Sequence, residues 1–286
     1  MHRGFALKKG FEDTKNEKCR RKYRFLRHFL PQDLHISPKS TIFAASILHW
    51  PVNWKEWYRG LLQVLFPKCC PICKRVIDDT GDPADCICSD CLRRLPRTEQ
   101  AVKRGNMTEE LFSHDFPRFH RGASFLFYDH GHPIREAIHT MKFHERPEIA
   151  YCLAREATYE FLQSDFFDGI DIILPVPLHP KRLRQRGFNQ SEYIARAISE
   201  VTKIPMDTTL LTRRKHTEQQ ALKRGKARKK NVENAFAVNH PEELYRKHIL
   251  LVDDLITTGA TMSACMKALQ PCRGAEYSVF ALCKAR

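Results

Sequence analysis

In the stretch ILLVDDLITTGATMSACMKAL, Ile249 to Leu269, four apolar residues run into two acids, and the acids into Thr257, Thr258, Gly259, Ala260 and Thr261. Read as strand, turn and helix, this sets Asp253 and Asp254 at the carboxyl end of a buried strand and the Thr-Thr-Gly-Ala-Thr run at the mouth of a helix. A helix N-terminus presents unpaired amides and a partial positive charge, and small hydroxyl and glycine residues leave both open to a phosphate. Two adjacent carboxylates can hold ribose hydroxyls, or a Mg²⁺ that bridges to pyrophosphate. The pattern therefore asks for a sugar bearing a phosphate and a metal-bound polyphosphate. Its bland counterpart is an ordinary strand-to-helix turn capped by Thr258 or Thr261, with the acids in solvent.

A second chemistry-bearing stretch is PKCCPICKRVIDDTGDPADCICSDCLRRLP. Cys70 and Cys73 form one C-x2-C knuckle and Cys88 and Cys91 another, with fourteen residues between them, the spacing that a tetrahedral Zn²⁺ with four thiolates requires. Cys69 and Cys86 are spare and could substitute for a ligand. A closed four-sulfur site has no open position, so its role is structural. His132, His139 and His144 are unevenly spaced around a helix and read as surface or core histidines rather than ligands.

These residues need a scaffold, and the pattern supplies one. Strands are expected at 123–129, 169–178, 209–214, 248–256 and 275–285, and helices at 133–143, 149–163, 191–202 and 261–272. Near-continuous apolar strand cores alternating with amphipathic helices imply an α/β fold, a largely parallel sheet covered on both faces. In such sheets ligands sit outside the carboxyl ends of the strands. The expected organisation is a poorly ordered leader over 1–51, a zinc ribbon over 52–96, a polar connector over 97–120 and the α/β domain over 121–286. The leader lacks a clear period, and VNWKEWYRGLLQVLFP from Val52 looks like an amphipathic beginning, so a bacterial valine start there, with the leader outside the native protein, is part of this expectation.

Composition bounds the function class. The chain has 286 residues and a net charge of +15, and its longest apolar candidate, TIFAASILHWPV, is far short of a membrane span. A soluble, cytoplasmic protein without membrane insertion is expected. Six of the eleven cysteines crowd between Cys69 and Cys91, which suits metal binding in a reducing compartment better than a disulfide framework. The charge is concentrated: residues 179–230 carry 15 Lys or Arg against 4 Asp or Glu. Such a patch suits polyphosphate or nucleic acid, with a solvated basic face as the plain alternative. From Arg213 to Phe236, Arg, Lys and Gln alternate without apolar anchors, the composition of a mobile lid or a groove that tracks a phosphate backbone. Lys226, Arg228, Lys229 and Lys230 are its candidate contacts to single-stranded DNA.

The acid pair and its loop resemble the 5-phosphoribosyl-1-pyrophosphate (PRPP) signature of type I phosphoribosyltransferases. On that resemblance Asp253 and Asp254 match the ribose-binding acids, residues 257–261 match the 5′-phosphate loop, and IILPVPLHPKRLRQRGFNQS matches the loop that receives pyrophosphate. Lys181, Arg182, Arg184 and Arg186 would then supply its charge, and Gly187 a tight turn. The order of motifs is more specific still. A cysteine module, YDHGHPIREAIHTMKFH, PVPLHPKRLRQRGFNQSEYIA, RRKHTEQQALKRGKARKKNVENAF and LLVDDLITTGAT together are similar to the ComF family of bacterial competence proteins, from about Val52 to the C-terminus. The resemblance implies a phosphoribosyltransferase-like fold with an N-terminal zinc ribbon, structural Zn²⁺, PRPP with Mg²⁺, single-stranded DNA handling during transformation, and a helicase-like partner. Its alternative is active transfer of phosphoribose to a nitrogen acceptor, as in amidophosphoribosyltransferases. The sequence identifies neither an acceptor nor a catalytic residue.

Overall fold

Four strands with largely buried, apolar centres dominate the architecture. In the computed structural model, which describes residues 67–77, 85–129, 131–143, 146–214 and 235–286, they form one parallel sheet. The described residues all fall in a single compact unit, Gly60–Arg286. In chain order the elements are α1 (Ser89–Arg93), β1 (Phe119–Tyr128), α2 (Ile134–Phe143), α3 (Glu148–Phe161), β2 (Ile172–Pro175), α4 (Pro180–Arg186), α5 (Gln190–Thr202), β3 (Leu211–Arg213), β4 (Phe236–Val238), β5 (His248–Ile256), α6 (Ala260–Leu269) and β6 (Glu276–Ala285). The sheet order is β1-β6-β5-β2, and β3 and β4 make a separate antiparallel pair.

Alternation along the central strands divides the core in two. Leu250, Val252, Phe280 and Leu282 point to one face and pack with Ile149, Leu153, Ile194 and Ile198 of α3 and α5. Ile249, Leu251, Val279 and Ala281 point to the other and pack with Met262, Cys265 and Met266 of α6. Both faces are covered, which is why the strands read as continuous apolar runs rather than alternating ones. The α/β fold with helices on both faces is the one expected from the sequence.

Three elements differ from expectation. The basic run after β2 is a helix, α4, rather than a loop: Pro180 sits at its first position, the His179 ring accepts from the Lys181 amide (3.2 Å), and Gly187 closes it in the left-handed region. A strand unforeseen in the pattern, β4, pairs with β3 so that Arg213 faces Phe236. The stretch 97–120 is more than a polar connector. It carries a 3-10 turn at Glu109–Leu111, buries Phe112 and Phe116 in the α6-side core, and buries Gln100, Asn106, Thr108 and Glu109 in hydrogen bonds with one another and with β1. Part of its polar composition is thus satisfied buried groups, beside exposed ones such as Lys103, Arg104, Glu110 and Asp115.

The cysteine module shares the core of the α3 side: Cys70, Cys86, Ile87 and Leu95 are buried in the same cluster as Ala123 and Phe125. The leader, Lys226, Arg228, Lys229, Lys230 and His144 lie outside the described residues. No described helix is long and apolar enough to cross a membrane.

Candidate functional site

The site forms where the sheet changes width. β2 pairs with β5 only as far as Pro175 opposite Val252, and the next amide, Val176, donates to the Val252 carbonyl (2.8 Å). β6 accompanies β5 four residues further, to Lys284 opposite Ile256. Asp253 and Asp254 are therefore the first residues of β5 with an open flank, at the carboxyl edge of a parallel sheet where ligands collect.

Strand alternation separates the two acids by face. Asp254 follows Val252 toward the α2 side, where the Lys142 ammonium meets its Oδ2 at 3.1 Å. Asp253 follows Leu251 toward the α6 side; its Oδ1 accepts from the Ser191 hydroxyl (3.0 Å) and from the Asp254 amide (2.9 Å). Burial, then the neighbouring Asp254 charge, push the Asp253 carboxyl up to about 7, against the pull of that amide, Lys142 and Ser191. Burial would depress Lys142, but Asp254 and Asp253 outweigh it and hold the ammonium above its ordinary range.

Ser191 can reach Asp253 because α5 begins there. Asn189 caps that helix, accepting from the Ser191 amide (3.2 Å), and its own amide donates to the Val176 carbonyl (3.1 Å) just past β2. The RGFNQ run is thus a clasp that ties the start of α5 to the end of β2. Arg186 on α4 donates to Gln190 (3.2 Å). Arg186 is lowered chiefly by burial, with Arg182 adding to the shift and Asp254 opposing it, so all three charges share one field. Arg213 is lowered by burial and by Arg182 while feeling Asp253. Of the expected basic residues, Arg186 lies within the field of Asp254, Arg182 is half-buried beside Arg186 and Arg213, and Lys181 and Arg184 are exposed.

The loop after the acids is an open helix start, where unpaired amides can receive an anion. Gly259 is the N-cap of α6 with φ +75°, and no side chain caps the helix. A Cβ on Gly259 would stand 2.9 Å from the Phe112 ring, so the loop lies directly on the platform built by residues 97–120. From the other side the nearly buried Lys284 ammonium donates to the Thr257 carbonyl (3.1 Å). Thr258 is exposed and Thr257, Ala260 and Thr261 are half-buried at the opening. Unpaired amides at the loop and two carboxylates at the acids are groups that could hold an anion and hydroxyls or a metal ion.

Lys142, Ser191, Arg213, Lys284 and Phe112 were not assigned a role from sequence. Lys142, Ser191 and Arg213 stood inside quoted motifs without being singled out for these contacts, and Lys284 and Phe112 stood outside them. Lys142, Arg213, Lys284 and Phe112 lie 27 to 147 positions from the loop and acids, and no local pattern signals which of those residues each one meets.

The second site is the cysteine cluster. The sulfurs of Cys70, Cys73, Cys88 and Cys91 all lie within 4.8 Å of one another, and no other described group of three or more ligand side chains does so. Cys73 and Cys88 are 3.6 Å apart, close to the roughly 3.8 Å edge of a tetrahedron with 2.3 Å zinc–sulfur bonds. The first knuckle is shaped by Lys74, in the left-handed region, whose amide donates to the Cys70 carbonyl (2.9 Å). The second opens α1, with Cys88 at its N-cap. Burial resists ionisation of Cys73, yet the Arg75 amide and the neighbouring thiols draw it down to about 7; burial pushes Cys70 and Cys91 up. The spare cysteines point elsewhere, Cys69 to the Pro67 carbonyl (3.5 Å) and Cys86 to the Glu148 carbonyl (3.6 Å). Of the histidines weighed as ligands, His132 caps α2 through the Ile134 amide (3.1 Å) and His139 is exposed.

No protein-family model matches the chain. It is 33% identical over 218 residues to the DNA utilization protein YhgH of Salmonella typhimurium, covering 75% of this chain and 89% of that one. It is 38% identical over 203 residues to Competence protein F of Haemophilus influenzae, covering 69% and 78%, and 24% identical over 228 residues to Competence protein ComFC of Bacillus subtilis, covering 79% and 82%. Among solved structures, glutamine PRPP amidotransferase from B. subtilis complexed with ADP and GMP is similar at a TM-score of 0.32 and 19% identity, over 46% of this chain and 25% of that one. Adenine phosphoribosyltransferase from Leishmania tarentolae matches at 0.32 and 13%, over 51% and 74%. These structural scores are low, and the fold assignment stands on the sheet order and the family instead.

Proposed function

The chain belongs to the ComF family of competence and DNA-utilization proteins, and from that premise we propose that it binds PRPP with Mg²⁺ at the β5–α6 edge and serves DNA uptake through a basic surface beside that pocket. The observation that carries the pocket is the meeting of three features at one place: the acid pair where β2 ends, the uncapped Gly259 turn, and Arg186 within the field of Asp254, with Arg182 beside it. Asp253 and Asp254 hold the ribose diol, the 257–261 loop holds the 5′-phosphate, and the α4 arginines meet the pyrophosphate. One Zn²⁺ on Cys70, Cys73, Cys88 and Cys91 ties the two knuckles to the α3-side core.

The single-stranded DNA part rests on charge. Arg213 and Phe236, the ends of the basic segment read from sequence, are brought opposite each other beside α6, and Lys226, Arg228, Lys229 and Lys230 between them supply phosphate contacts. Such contacts are electrostatic and weaken with salt as counterions are released.

Calorimetry with PRPP and Mg²⁺ tests the pocket. Binding by the wild type, lost in Asp253→Ala/Asp254→Ala with folding intact, is the expected result, and equal affinity in both proteins refutes it. For DNA, replacing Lys226, Arg228, Lys229 and Lys230 by Ala should flatten the salt dependence of single-strand binding while PRPP affinity holds; a salt-independent or absent interaction refutes that part. Transfer to a nitrogen nucleophile is the second reading, favoured by one observation: Asp253 is held at the open end of β5 by the Ser191 hydroxyl (3.0 Å), beside Asp254 and partly shielded from water, an environment that favours its taking up a proton. Pyrophosphate release on adding ammonia or an amine to the PRPP-loaded protein would establish it.

A further inference from the structure

The acid pair is not open carboxylate. Lys142, from the last turn of α2, places its ammonium 3.1 Å from Asp254 Oδ2, with both side chains largely shielded from solvent (18% and 14% exposed). Sequestering an ammonium costs free energy unless a carboxylate answers it, so this pairing is built into the fold. Asp253 has the Ser191 hydroxyl on the same oxygen that takes the Asp254 amide. Arg186 feels the field of Asp254, and Arg213 that of Asp253. Two acids thus stand among three cations. They are also only two ligands, since no described residue completes a set of three around them.

A divalent ion fills much of its shell with water and is drawn to protein by uncompensated negative charge. The charge of these acids is already answered. A polyphosphate that arrives with its metal meets the opposite situation: its own oxygens supply the missing ligands, and the surplus cations attract its charge. We propose that Lys142 is a built-in counter-cation that closes the acid pair to free divalent metal, so that metal enters this site only together with the polyphosphate it is bound to. Lys142 is a positioning residue in this sense, and the inference rests on the PRPP reading for the identity of that polyphosphate but not for the closure itself.

Closure is tested without PRPP. Zinc-loaded full-length protein is titrated with Mn²⁺, and free Mn²⁺ is read by electron paramagnetic resonance, for wild type, Lys142→Met, Lys142→Arg, Lys142→Gln and Lys142→Met/Asp254→Asn. The wild type and Lys142→Arg should show only the weak background of the Asp254→Asn double variant. Lys142→Met should gain one Mn²⁺ per chain at least about tenfold tighter than that background, because a unit charge next to the ligand oxygen is removed. Lys142→Gln, which keeps a polar side chain, should behave likewise and carries the test should the methionine variant fail to fold. Wild-type uptake equal to that of Lys142→Met overturns the proposal, as does a neutral variant no tighter than the Asp254→Asn control. Calorimetry of the wild type with PRPP and Mg²⁺ is run beside it: absent binding there tells against the PRPP reading, while the Mn²⁺ comparison still decides closure.

Discussion

Gly259→Ala is the sharpest test of how the loop is held. Two separate penalties act at this position. The backbone sits at φ +75°, and an L-residue in that left-handed region costs roughly 1–2 kcal/mol. The new methyl would also stand 2.9 and 3.0 Å from two atoms of the Phe112 ring. That ring has nowhere to go, being fully buried and packed near Phe119 with ring centroids 5.6 Å apart. Overpacking of this kind costs about 1–3 kcal/mol. Together the penalties give roughly 2–5 kcal/mol, a fall in melting temperature of about 4–20 °C for a domain of this size. The steric part can be isolated by a double-mutant cycle. In a Phe112→Leu background the new methyl finds room, so Gly259→Ala should there cost only the backbone part, about 1–2 kcal/mol. The assay is thermal and urea unfolding of the four zinc-loaded proteins. An identical cost in both backgrounds would show that Phe112 does not support the loop, and a single-variant cost below about 1 kcal/mol would refute both penalties.

The remaining predictions use the same scaffold. Elemental analysis should find one zinc per chain, lost in Cys88→Ser/Cys91→Ser but kept in Cys69→Ser, whose sulfur points to the Pro67 carbonyl; zinc retained in the double variant refutes the site. Lys284→Met leaves the Thr257 carbonyl without its donor, a loss of about 1–3 kcal/mol, and should weaken PRPP binding about tenfold in calorimetry, whereas unchanged affinity would mean the loop holds its shape unaided. His248 is held below its ordinary pKa by burial and by the nearby His120, with Glu276, the Gly169 carbonyl and Asp171 acting the other way. The unfolded chain therefore takes up this proton first on acidification, so the stability that His248 contributes is complete above about 6.5 and is lost as pH falls below it. Melting temperature should drop between pH 7 and 5 and drop less in His248→Gln; parallel curves would contradict the assignment.

Short-range patterns carried much of this protein. The apolar runs of β5 and β6 and the periods of α2, α3 and α5 mark their elements because burial on both faces or on one stripe is written into consecutive residues. Asp253, Asp254 and the 257–261 run are legible for the same reason: strand end, turn and helix start are adjacent in the chain. Four cysteines in two knuckles reveal their own geometry through spacing. What completes each site is long-range, and only tertiary structure decided it. Cys69 and Cys86 are as well spaced as their neighbours, yet their sulfurs turn to the Pro67 and Glu148 carbonyls. Residues 97–120 look like linker because exposed polar residues and the four buried ones, Gln100, Asn106, Thr108 and Glu109, read alike in sequence, and nothing local tells that Phe112 lies under Gly259. Lys142 and Lys284 look like ordinary surface cations in sequence. They meet Asp254 and Thr257 only because parallel strands separated by long crossovers bring residues more than a hundred positions apart, and the last strand of the chain, to the same edge of the sheet.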